Sequence, residues 1–199
     1  MVVAVVVIFV AMLLPAFGGS HKSPSAPCMS HVRQIDLAFQ MYADDNNGKF
    51  AIQTSVTNHG TMEFLERNQT FPHFQKLSGY IFYFPTFVCP ADTSRHAAES
   101  YANLTDTNLS YFLSADVSTN NPATSILIGD RNLEANGVPV GHGTFTLNTN
   151  MNLVWNSSAM HRRVGVLGFA DGHAEIRHSA DLKATVQRQG LATMRLSVP

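Results

Sequence analysis

The sequence predicts an α+β fold in which one helix covers a face of an antiparallel sheet. Three observations carry this. One early stretch spaces its apolar residues as a helix does, several short strand-like runs follow it, and an Asp-Gly turn separates two of the last runs. The runs lack the regular strand–helix alternation of a parallel sheet, so antiparallel pairing with long loops is expected.

From Met1 to Ser20 no side chain is charged, and Val2 to Leu14 is an unbroken apolar run of thirteen residues. With Ala16 and Phe17 the apolar part spans roughly 25 Å as a helix, against a hydrocarbon core of about 30 Å. Residues 1–20 are therefore expected to be a hydrophobic membrane anchor or signal-like segment, with 21–199 forming a globular head. Gly18 to Pro27, rich in Gly, Ser and Pro, reads as a hinge. Next, Cys28, Val32, Ile35, Phe39 and Tyr42 recur at spacings of four and three, predicting a helix over about 29–44. Val32, Ile35, Phe39 and Tyr42 are its interface stripe, Arg33, Gln34, Asp36 and Gln40 fall off that face, and Asn46-Asn47-Gly48 supplies the stop.

A short helix is expected near Thr61 to Arg67. Tyr80, Phe82, Tyr83, Phe84 and Phe87 read as an aromatic core cluster. Ser110–Ser114, Thr124–Gly129, Phe145–Leu147 and Leu153–Trp155 read as short strands. Val164–Phe169 and Ala174–Arg177 flank Asp171-Gly172, so a hairpin is expected over about 164–177. Asp181 to Gln189 is expected to close the chain as a helix stopped at Gly190.

The chain has 199 residues, a net charge of -1 and 14% charged residues, with no Lys/Arg block. The electrostatic footprint of a nucleic-acid binder is missing, so no nucleic acid is expected as a partner. Cys28 and Cys89 are the only cysteines, an even count in a chain that looks exported, which suggests a disulfide tying the helix start to the sheet. Two separate buried thiols are the alternative, and thiol titration of the denatured chain distinguishes them.

Three motifs in order resemble a known family. Cys28 to Ile35, continuing through Met41 to Gly48, resembles the segment after the hydrophobic helix of bacterial prepilin-type proteins. Val88-Cys89-Pro90-Ala91-Asp92 resembles their second cysteine site. His161, nine residues, then Asp171-Gly172 fits the H-x9-D-G signature of the prepilin-type processing-associated domain, with His173 and Glu175 following. The resemblance covers the two ends well and the middle poorly. It implies a pilin-like fold akin to type IV pilins and type II secretion pseudopilins: an amino-terminal helix held in the membrane before assembly and a sheet-bearing head outside. Implied partners are the membrane, through residues 2–17, and homologous pilin-like subunits. The implied location is the bacterial inner membrane, with the head in the periplasm or at the cell surface.

His161, Asp171, His173 and His178, with His142, invite a metal-hydrolase reading, since imidazole and carboxylate suit zinc. Their spacing preorganises no site. A structural role for His161, Asp171, Gly172 and His173 is expected instead, with Asp171 accepting backbone N–H bonds in the turn and Gly172 at positive φ. Asp44 to Gly48 misplaces the glycine of a calcium loop and lacks its closing Glu. No metal or cofactor is expected; calcium enters only because some pseudopilins bind it in the head, which here would involve Asp92, Asp106 or Asp130. No nucleophile elbow or phosphate-cradling Gly-rich loop is present. The functional expectation is thus a non-enzymatic pseudopilin-like subunit of a secretion or type IV pilus-like apparatus. Its rivals are an anchored binding module presenting Trp155 and aromatic loops to a carbohydrate or protein, and a metal-dependent hydrolase.

Overall fold

The computed structural model describes residues 25–156, 158 and 160–199. The anchor expected over residues 1–20, and the membrane contact through residues 2–17, lie outside these residues. Helix α1 runs Ala26–Asp45, with Pro27 in its first turn, where a missing N–H costs no intrahelical bond. Cys28, Val32, Ile35 and Phe39 are fully buried along it and Tyr42 nearly so. It stops where Asn47 and Gly48 take φ of 57° and 73°, and the Asn46 and Gly48 N–H groups both donate to the Ala43 carbonyl.

Among the described residues, nine strands come after α1, with two further α-helices. β1 (Tyr111–Ser114) and β2 (Ile126–Asp130) are buried along their whole length. Then come β3 (Leu133–Ala135), β4 (Val138–Pro139), β5 (Gly143–Asn148) and β6 (Leu153–Trp155). β7 (Val164–Phe169) and β8 (Ala174–His178) form the hairpin, and β9 (Thr193–Val198) ends the chain. Helix α2 (Phe71–Gln75) precedes the strands and α3 (Ser179–Arg188) joins β8 to β9. The main sheet has the order β5-β9-β1-β2-β7-β8, antiparallel at every step, and a small sheet has the order β4-β3-β6.

Helix α1 packs on β2, β7 and β8. Two glycines of β7 set how closely each face is approached. A Cβ at Gly168 would come within 2.9 Å of Val32 and 2.8 Å of Asp36, both on α1. Gly165 lies on the opposite face by the alternation of a strand, and a Cβ there would sit 2.5 Å from the ring of Trp155 on β6. The β7 backbone is therefore gripped between α1 and that indole. Gly165→Ala is expected to cost about 1–3 kcal/mol by overpacking against a buried ring, read as a fall in denaturation midpoint. Gly79→Ala, with nothing within 4 Å of its added Cβ, is the matched control and should change little.

The pilin-like class is corrected by this architecture. Among the described residues no helix is long and apolar enough to cross a membrane. The first described helix is amphipathic: Arg33, Gln34, Asp44 and Asp45 are exposed along it, so it is not a helix that hydrocarbon could surround. The strands beyond it are joined into antiparallel sheets.

Three smaller expectations also change. Asp36 is not on the wet side of α1 but fully buried. It lies four residues after Val32 and three before Phe39, on the flank of the stripe, and the sheet at Gly168 reaches round to cover it. The aromatic cluster divides: Phe87 is buried, whereas Phe82 and Tyr83 are 80% and 66% exposed. Trp155 is 1% exposed, spent on Gly165, and is not offered to a ligand.

Candidate functional site

Four of the residues singled out by motif, Cys28, Cys89, Asp92 and His161, converge on one buried knot. Cys28 sits in the first turns of α1 and Cys89 follows a 3-10 turn over Phe84–Phe87. The two form a disulfide, and both are fully buried. The Cys89-Pro90-Ala91-Asp92 segment folds back so that the Asp92 N–H donates to the Cys89 carbonyl at 2.8 Å. Asp92 is then clamped: Arg131 reaches both its oxygens, Nε to Oδ2 at 2.8 Å and Nη2 to Oδ1 at 3.0 Å. The Ser110 and Ser94 hydroxyls donate to it at 2.9 and 2.7 Å. Burial alone would raise the Asp92 pKa; the hydrogen bonds from Arg131 and Ser94, and the Arg131 charge, outweigh it and hold the carboxyl below its ordinary value. The second cysteine is in this way fixed to the start of β1 and the end of β2.

His161 arrives on a loop with unusual backbone. Met160, Arg162 and Arg163 all have positive φ, 50°, 49° and 60°. Non-glycine residues take that region rarely and only where the surroundings hold them there. The loop delivers the His161 Nε2 to 3.0 Å from the Cys89 Sγ and 3.9 Å from the Asp130 Oδ2, with 1% of the His161 side chain exposed. Asp130, the last residue of β2, is fully buried and accepts the Val166 N–H at 2.7 Å through Oδ2. Its Oδ1 has no hydrogen-bond partner among the described residues, nor does the His161 Nδ1. Burial pushes the Asp130 carboxyl up to about 8, with the Val166 N–H opposing and the Asp92 charge adding, so it is protonated at neutral pH. Burial lowers the His161 pKa, which favours a neutral imidazole. Burial, then the charges of Asp130 and Asp92, raise the Tyr111 hydroxyl well above its ordinary value.

The other half of the motif lies elsewhere. Asp171, Gly172 and His173 form the tip of the β7–β8 hairpin, where the His173 N–H donates to the Asp171 carboxylate at 3.2 Å and Gly172 has φ +85°. The His173 ring stacks on Phe169 at 4.3 Å. His142 bonds Asp106 at 2.9 Å, and Asp106 also accepts the Thr70 and Phe71 N–H groups at the start of α2. His178 is exposed at the end of β8. These histidines do not come together. Among the described residues, the one group of three metal-ligating side chains with ligand atoms within 4.8 Å of one another is Cys28, Cys89 and His161. Asp92, Asp106 and Asp130 are likewise each engaged separately, by Arg131, by His142 and the α2 start, and by Val166. The stripe Val32, Ile35, Phe39 and Tyr42 is placed inside the head's own core.

Arg131 and Tyr111 were not singled out by sequence, and Asp130 entered only among the calcium candidates. The available signal was an Asp-Arg pair closing an apolar strand, where buried polar groups need partners. The class defined is a domain of mostly antiparallel sheet under one helix, stapled by a buried disulfide that a motif histidine touches. No family model matches the chain, and neither a curated protein nor a solved structure matches it.

Proposed function

We propose that the chain is a non-enzymatic, exported subunit that works by assembly, in the role of a pseudopilin-like component of a bacterial secretion or type IV pilus-like apparatus. The observation that carries this is an exposed apolar surface beside the outer side of α1. Leu37 and Met41 of α1 are 56% and 46% exposed, and Phe82 and Tyr83 beside them are more so. They border a groove of about 210 Å³ whose lining carries no charged side chain. Exposed apolar surface of this kind marks a site of association. It receives side chains from the apolar run of a neighbouring homologous subunit, of which Val2 to Leu14 is this chain's own copy: uncharged, and roughly 20 Å long if helical.

In this reading residues 2–17 hold the chain in the inner membrane before assembly and leave it for the neighbour's groove on assembly, while the head lies in the periplasm or at the cell surface. The Cys28–Cys89 disulfide supports an oxidising compartment. The test is a photoreactive residue in place of Phe82 in the full chain reconstituted in lipid vesicles. Illumination should yield a covalent dimer near twice 21.8 kDa, and Leu37→Glu should cut its yield several-fold. A chain that stays monomeric under illumination would sink the proposal.

A further inference from the structure

The geometry points to a metal site hidden in the reduced form of the knot: as a dithiol, Cys28 and Cys89 with His161 would bind one zinc-class divalent ion, so that a metal replaces the disulfide as the staple. The three residues come from three separate parts of the chain, the α1 start, the turn after Phe87, and the loop before β7. Their ligand atoms already lie within 4.8 Å of one another. Two sulfurs bound to a tetrahedral zinc at about 2.3 Å stand about 3.8 Å apart, a separation that rotation of freed side chains supplies. The His161 Nε2 already faces Cys89 Sγ at 3.0 Å, so the ring needs no new orientation.

A second observation points into the same place. Asp130 is fully buried, its Oδ2 is 3.9 Å from the His161 Nε2, and its Oδ1 is without a partner among the described residues. A carboxyl left half-satisfied in a dry interior is costly, and a hydrogen bond to a metal-bound water in the fourth position would satisfy it without adding charge. Charge balance favours zinc as well. Two thiolates and a neutral imidazole around a divalent ion sum to zero, which a buried site requires. Cys₂His sets suit zinc, whereas calcium and magnesium want oxygen.

The chemistry balances as two steps. A dithiol or phosphine reductant cleaves the Cys28–Cys89 S–S bond with two electrons: a dithiol passes its two protons to the freed sulfurs and closes to its own disulfide, whereas a phosphine takes the oxygen of one water molecule to become its oxide and that water's two protons go to the two thiols. The two thiols then give up their protons to solvent as the ion binds, so binding releases two protons and weakens as pH falls.

The experiment uses the full chain, reduced with a phosphine under anaerobic conditions, desalted and titrated with cobalt(II) as the spectroscopic stand-in and with zinc chloride. One equivalent of cobalt should give tetrahedral d–d bands together with a sulfur-to-cobalt charge-transfer band. Cys89→Ser should abolish the charge-transfer intensity from that sulfur, and His161→Ala should weaken binding by about tenfold or more. One equivalent of zinc should raise the melting temperature of the reduced chain and slow alkylation of both cysteines, while leaving the oxidised chain unchanged. Spectra without a charge-transfer band, or zinc effects that survive both substitutions, would overturn the site. A reduced chain that zinc neither stabilises nor shields from alkylation would do the same. None of these outcomes bears on the assembly surface at Phe82.

Discussion

Replacing either Asp36 or Asp130 with asparagine is expected to remove about half of a steep loss of stability between pH 6.5 and 8. Both carboxyls are fully buried, and burial pushes each up to about 8. Around Asp36 the amide of Gln40 and the Phe169 backbone temper the rise, and the Asp171 charge adds to it. A carboxyl with a raised folded pKa is protonated in the native state while its unfolded counterpart is ionised. Its contribution is therefore fully present below the ordinary value of 3.8 and is lost as pH rises through about 8. Two such groups give a slope on the order of 3 kcal/mol per pH unit.

Buried histidines lean the other way. Burial lowers His73 from 6.5 to about 3, and lowers His161 as well. Such groups contribute stability present above 6.5 and lost as pH falls toward their folded values, because only the unfolded chain takes up the proton. Below 6.5 the histidines oppose the two carboxyls; above it the carboxyls act without that opposition. Between pH 6.5 and 8 the loss amounts to roughly 4 kcal/mol, or about 8–16 °C in melting temperature for a chain of this size. Asparagine keeps an acceptor for the Val166 N–H at position 130 but cannot ionise, so the readout is slope rather than absolute stability. Melting curves across this window whose slope is the same in both variants and the parent chain would show that neither carboxyl carries the effect.

The same residue shows where sequence stopped being informative. The spacing of Cys28, Val32, Ile35, Phe39 and Tyr42 locates the helix, because periodicity is a local property. Whether Asp36 on its flank is wet depends on how closely β7 approaches, and that is set by Gly168, 132 residues away in sequence. The β7–β8 turn was legible for the same local reason, through Asp171-Gly172. β9 was not. Thr193–Val198 carries no hairpin signal, yet it lies inside the main sheet between β5 and β1, pairing Ser197 with both Thr144 and Leu113. Such non-local pairing leaves no trace in neighbouring residues. In the site, Cys28, Cys89 and His161 stood out as residue types, but their meeting did not. The sequence separation of 61 between the cysteines, and the Asp130 carboxyl behind His161, become one feature only when the sheet order brings them together.

Loss of the disulfide should be the largest single covalent effect, and it tests what the knot is for. The Cys28→Ala/Cys89→Ala double variant reopens a loop with a sequence separation of 61, which the chain-entropy account values at about 4 kcal/mol. That part alone should lower melting by about 8–16 °C. The enthalpic side is separable, because alanine also removes the sulfur that the His161 Nε2 faces at 3.0 Å. An imidazole left facing methyl groups in a dry interior costs about 1–3 kcal/mol for its unsatisfied N–H. Adding His161→Leu to the double variant removes that polar group, so part of the loss should return while the loop-entropy part stays lost. A double variant within about 1 kcal/mol of the parent in denaturant unfolding would show instead that Asp92, Arg131 and the sheet hold the α1 start without the covalent tie.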